Sequence, residues 1–243
     1  ELEAAGCTHL SAKIFGGASM FKNVSSLMDI GKRNIDSVKT VLNELNILSQ
    51  DPRRVVDSLA LVSIYEFTGG PEWTNRTNWL REPIDTWYGV TVVDDRVTEM
   101  DLSSNGLEGT LPFILNGLEK MTRLDVSDND LVNVNLNGFV ALTYVDVSEN
   151  RMNFNTLSNI RTAFADVIYD PQKPVLERQI ILLQLEETAT LTRQIPGAES
   201  QRWLRDGVPT GDVGTSISIQ VFSDADEAAY TVEGESSSFP GLV

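Results

Sequence analysis

The pattern of apolar and polar positions changes character along the chain, and each change predicts a different kind of element. Between residues 34 and 49, Ile35, Val38, Leu42, Leu45 and Leu48 recur at helical spacing with polar residues between them. A shorter stripe, Met20, Phe21, Val24, Leu27 and Met28, predicts a helix over 19–30 that Gly31 ends. Stripes of this kind pack a helix onto its neighbour. A third helix is predicted to start at Asp51-Pro52, because Asp accepts from the orphan amides of a first turn and Pro lacks the amide that would go unpaired there. It runs through RRVVDSLALVSIYEF and stops at Gly69-Gly70. The following loop, 71–90, gathers Trp73, Trp79 and Trp87, which predicts a small aromatic core and leaves a sugar-stacking platform as the alternative.

From Arg96 the chain becomes periodic. Segments starting at 97, 121 and 142 align on Asn105, Asn129 and Asn150, so the pattern returns after 24 and then 21 residues. In each, a short strand turns alternate apolar side chains inward: Met100 and Leu102, Leu124 and Val126, Val145 and Val147. The asparagine that follows is predicted to be buried, its amide pairing with backbone groups of adjacent turns of the chain. One such unit cannot bury its own apolar face, so three of them need caps.

Beyond Arg161 the pattern changes again. Prolines in YDPQKP at 169–174 exclude helix. Strand-like runs follow at 178–184, 187–194, 214–222 and 228–234, separated by turn signals such as Pro196-Gly197 and Asp206-Gly207.

The order of helix, WTNRTNW, then WYGVTVVDDRVTEMDLSSNGLEGTLP resembles the N-terminal cap and first repeats of plant-type leucine-rich repeat proteins, in the cysteine-free version found in large bacterial surface proteins. From about 175 onward, Trp203 in RWLRDGVP and Tyr230 in DEAAYTV resemble the core tryptophan and tyrosine corner of an immunoglobulin-like domain. Val232 stands where that family's second cysteine would be, and Arg193 is an unusual occupant of its strand-B position. The resemblance implies a mixed fold: a helical cap leading into a short leucine-rich repeat solenoid of parallel strands, then a β-sandwich. It divides the chain into a helical segment at 1–50, a repeat domain at 51–165 and an immunoglobulin-like domain at 166–243. The end of that domain, at FPGLV, reads as incomplete.

Composition narrows the function. The 35 acidic and 19 basic residues give a formal charge of -16, a surface that repels phosphate backbones and anionic membranes, so nucleic acid is excluded as a partner. No stretch is apolar enough for a membrane span. Cys7 and His9 are the sole cysteine and histidine, so no disulfide, zinc site or Cys-His pair is completed within the chain. On this count the chain is expected to be no enzyme and to need no cofactor or metal.

A binding role is expected to sit on the face of the parallel strands, where Glu99 and Asp101, Arg123 and Asp125, and Tyr144 and Asp146 project together. The column Asp101, Asp125, Asp146 is read as structural before functional, since an Asp-Ser after the strand belongs to the repeat pattern. Glu99, Arg123 and Tyr144 are less dictated by it and are the better contact residues, Arg and Tyr being common anchors. The expected role is an extracellular or cell-surface adhesion module, a fragment of a larger protein. Its expected partners are a surface protein or glycan, the secretion machinery and the rest of its own chain. A structural spacer and an accessory carbohydrate-binding region of a secreted enzyme are the alternatives.

Overall fold

The computed structural model describes residues 52–113, 117–176, 179–223 and 228–242. The two amphipathic stripes of the first 50 residues lie outside them. Helix α1, Pro52–Phe67, forms where the Pro start and the Gly69-Gly70 stop predict it, and Gly69 takes the left-handed conformation at φ 75°. Its inner face buries Val55, Leu59, Leu61 and Ile64. Each such side chain, withdrawn from water, contributes about 1.5–3 kcal/mol.

The Trp-bearing loop closes over this helix. Trp73 and Trp79 meet edge to face with centroids 4.8 Å apart, Trp79 and Trp87 lie 4.7 Å apart, and Tyr65 of α1 stacks on Trp79 at 5.8 Å. Every indole N–H donates to a backbone carbonyl: Trp73 to Thr68, Trp79 to Tyr88 and Trp87 to Glu82. All three rings are at most 4% exposed. With no open ring face, the loop is core and offers no platform for a sugar.

Strands β1 (Val90–Val93) and β2 (Arg96–Asp101) form an antiparallel hairpin, and β2 pairs in parallel with β4 (Arg123–Asp125), which pairs in parallel with β6 (Tyr144–Asp146). Between them, β3 (Glu108–Leu111) and β5 (Asp130–Val134) form a separate parallel pair. The inward residues Met100, Leu124 and Val145 stand in one row of the register and are buried. Gly89 is fixed by its surroundings. At φ 75° it brings its backbone against Asp101, and a Cβ there would sit 2.1 Å from the Asp101 carbonyl oxygen. Gly89→Ala is therefore expected to cost at least about 2 kcal/mol, combining left-handed strain with a backbone clash; a urea denaturation midpoint within error of the parent chain would refute this.

Helix α2, Phe154–Ala163, begins at an N-cap in which the Asn153 side chain accepts from the Thr156 amide at 3.0 Å. The remaining strands are β7 (Thr188–Thr192), β8 (Ser200–Arg205), β9 (Val208–Val213), β10 (Ser216–Gln220) and β11 (Tyr230–Glu235). They make a two-stranded sheet, β10-β7, and a three-stranded one, β11-β8-β9, all antiparallel. After β11 the chain folds back onto α2: Phe239 packs at 6.1 Å on Phe154 and edge-on to Tyr169 at 5.2 Å. Phe239 and Leu242 thus belong to the same buried cluster as Leu61 and Leu124.

The expected fold class needs correction. Among the described residues there are two α-helices and four small sheets, with no solenoid. The three strands that follow the 24- and 21-residue pattern contribute only three paired residues each to their ladder. The sheet ends at an antiparallel hairpin on one side and at an isolated bridge, Asp146 to Ile168, on the other. A closed sandwich is not formed either. Every residue of β9 is exposed, and burial in the two antiparallel sheets centres on Trp203, Leu204 and Ile217. Trp203 is 2% exposed and donates to the Gly214 carbonyl at 3.0 Å. Phe239, in the end of the chain expected to be incomplete, packs on α2. No described helix is long and apolar enough to cross a membrane.

Candidate functional site

The parallel ladder puts the predicted residues in two rows. Glu99, Arg123 and Tyr144 are register partners, and so are Asp101, Asp125 and Asp146. Their shared face is open because the apolar side chains between them, Met100, Leu124 and Val145, point the other way.

The aspartate row is spoken for. In each case one carboxylate oxygen accepts from the backbone amide and the hydroxyl of the serine two residues on: Asp101 from Ser103, Asp125 from Ser127, Asp146 from Ser148, with hydroxyl distances of 2.7 Å. These bonds fix the turn that leaves each strand. The second oxygen of Asp125 takes Arg123 Nη2 at 2.9 Å, and that of Asp146 takes the Tyr144 hydroxyl at 3.3 Å. Among the described residues no group of three or more His, Cys, Asp or Glu side chains is placed to hold a metal ion.

The other row forms the contact surface. The Arg123 guanidinium lies over the Tyr144 ring, 3.8 Å from its centroid, a cation–π stack that holds both side chains flat against the sheet. Partial burial works against the Arg123 charge, but the Tyr144 phenol and the carboxylates of Asp125 and Asp101 outweigh it and hold the guanidinium above its ordinary range. Burial and the charge of Asp146 likewise push the Tyr144 phenol up, so it keeps its proton and donates. Glu99 is exposed, and among the described residues its carboxylate has no hydrogen bond or ion pair.

Beneath this face runs the support. Asn129 Oδ1 accepts from the amides of Asn105 and Leu107, while its Nδ2 donates to the carbonyls of Leu102, Val126 and Ser127. Asn150 repeats the pattern with Leu131, Val126, Val147 and Ser148, and Asn105 joins the ladder to Asn75 of the Trp loop. At the far end Gln172 takes the next place, donating to Val147 and Tyr169 and accepting from Met152. Sequence reasoning missed Gln172, since it stands in a proline-bearing segment outside the repeat. It also missed Asp57. This residue of α1 is fully buried and accepts two bonds from Arg96, at 2.8 and 3.0 Å, and one each from the Val97 and Leu118 amides at 3.0 Å. One carboxylate therefore ties the helix to β2 and to the segment before β4.

Comparison with known proteins bears on the other end of the chain. The family described as CheD chemotactic sensory transduction matches residues 1–52. The probable chemoreceptor glutamine deamidase CheD of Clostridium novyi (strain NT) is 53% identical over 55 residues, covering 21% of this chain and 34% of that protein. Its counterpart in Clostridium acetobutylicum is 57% identical over 53 residues, covering 19% and 31%. The chain spans about a third of the length of these curated relatives.

This similarity corrects several expectations. The exclusion of enzymatic activity counted residue types within this chain alone, whereas its first 52 residues are similar to part of a family whose curated members are named as deamidases. The picture of a secreted leucine-rich repeat adhesion module with a cell-surface protein or glycan partner falls with it, because the named substrate of those relatives is a chemoreceptor.

Proposed function

We propose that residues 52–242 act as a protein-recognition module whose contact face is the open side of β2, β4 and β6, centred on Arg123 and Tyr144. The observation that carries this reading is the stacked pair itself. Two anchor-type side chains are locked in place by Asp125 and Asp146 on a sheet that a buried asparagine ladder makes rigid. Preorganisation of this kind removes the ordering cost that binding otherwise incurs. The face carries the carboxylates of Glu99, Asp101, Asp125 and Asp146 against one guanidinium, so it suits a partner rich in Lys and Arg.

The test uses a random-peptide display library panned on the immobilised full chain. The recovered peptides are expected to be enriched in Lys and Arg and to lose affinity as salt rises. Peptides without basic enrichment, or with affinity indifferent to salt, would count against the charge assignment.

A second reading is favoured by the N-terminal similarity. On it, the chain carries part of a chemoreceptor glutamine deamidase, and the recognition module holds that activity near its protein substrate. The full chain should then bind a purified chemoreceptor cytoplasmic fragment in a sedimentation or pull-down assay, and an absence of binding would remove this reading while leaving the first intact.

A further inference from the structure

Of the segment expected to form the first strand after the proline run, 178–184, the described residues 179–184 form none. Residues 179–184 of the run QIILLQL carry no regular secondary structure and lead into the turn at 184–187, where the Glu187 amide donates to the Gln184 carbonyl at 3.0 Å. The segment folds back beside β7, and its first side chain, Gln179, accepts from Arg193 just beyond the end of that strand. Yet Ile180–Leu183 make no backbone hydrogen bond among the described residues. The side chains are as bare as the backbone: Ile180 is 75% exposed, Ile181 44%, Leu182 90% and Leu185 61%. Phe222, 69% exposed, continues the surface, because the Glu186 amide bonds the Val221 carbonyl at 2.7 Å and so sets Phe222 next to Leu185.

Seven residues without charge, proline or glycine, four of which have no backbone hydrogen bond among the described residues, are a template for another strand. We propose that this segment pairs antiparallel, about a two-fold axis, with the same segment of a second copy of the chain. Area is compatible with that occupant: the exposed parts of these five side chains amount to on the order of 600 Å² per copy, so a symmetric pair covers at most roughly 1,200 Å², the lower end of what a specific stable interface needs. A monomer seldom leaves so large an apolar patch uncovered. Charge supports it too. At -16 per chain, two copies repel over most of their surfaces, and 179–185 is a stretch along which they meet without like charges, with Ile180 against Leu183 and Ile181 against Leu182 when Gln179 faces Gln184. A two-fold axis closes the assembly at two copies.

Sedimentation velocity of the full chain from about 1 to about 100 µM tests the proposal. A concentration-dependent monomer–dimer equilibrium is expected. Leu182→Lys, at a position so exposed that the fold has no need of it, should weaken dimerisation at least tenfold with an unchanged melting curve, and Ile180→Lys should do the same. Val140→Lys, at a 79% exposed apolar residue elsewhere, should leave the dimer as it was. A monomer at every concentration, a dimer equally strong in both 179–185 variants, or open-ended growth beyond two copies would each overturn it.

Discussion

Replacing Asp57 with alanine is expected to destabilise the chain by about 3–5 kcal/mol, the cost of breaking a buried ion pair from one side. Arg96 would keep its charge with its side chain only 11% exposed and no carboxylate to meet it. The Val97 and Leu118 amides would also be left without an acceptor in the core. In the parent chain the hydrogen bond to Asp57 holds the Arg96 pKa above its ordinary value; without it the guanidinium is still far too basic to relieve the loss by giving up its proton. Asp57→Asn should fall between, because one oxygen can still accept from Arg96 and Val97 while the amide nitrogen cannot accept from Leu118. Urea unfolding followed by tryptophan fluorescence reports this directly, since Trp73, Trp79 and Trp87 are packed on α1 and the loop it supports. A loss below about 1 kcal/mol for Asp57→Ala would mean that α1 is held by apolar contact alone.

The second large effect is expected at Asn129. Alanine there removes the acceptor for the Asn105 and Leu107 amides and the donor for three carbonyls, all in a site that is fully buried. An orphaned buried group costs about 1–3 kcal/mol, so a total of about 3 kcal/mol or more is expected. Asn129→Leu, similar in volume and without the amide, should be no better, and that comparison separates lost hydrogen bonds from a cavity. Amide hydrogen exchange gives the local reading: the Leu107 N–H should lose protection in both variants, and a Leu107 amide still protected in Asn129→Leu would show that the ladder adds little.

Features fixed by local chemistry were readable in the sequence. The start of α1 at Pro52, the burial of Asn105, Asn129 and Asn150, and the row pairing of Glu99, Arg123 and Tyr144 each follow from a repeat or a cap whose geometry is set within a few residues. The Asp-Ser turns were legible for the same reason. Features that depend on contacts distant in sequence were not. Asp57 lies 61 residues from Leu118, and Arg161 bonds the Ser238 carbonyl 77 residues away, and nothing in the local pattern announces either. The solenoid and the sandwich were read from the repeat period, the strand spacing and a family resemblance, and three-residue ladders with a hairpin at the edge do not extend into either. Residues 178–184 had the composition of a strand, but a strand needs a partner, and the described chain supplies none. No role was read for the first 50 residues, because an amphipathic stripe says that a helix packs, not what the packed unit does.

The most direct test of the recognition face is a binding titration with peptides recovered on the parent chain, repeated on Arg123→Ala, Tyr144→Ala and the double variant, with thermal unfolding measured alongside. The stacked pair predicts that each single change weakens binding at least tenfold and that the double change adds little beyond either, since each side chain holds the other in place. Melting temperatures should stay close to that of the parent, because both side chains sit on the open face and outside the buried cluster. Unchanged affinities in all three variants, with melting temperatures intact, would contradict the account and move the binding surface off β2, β4 and β6.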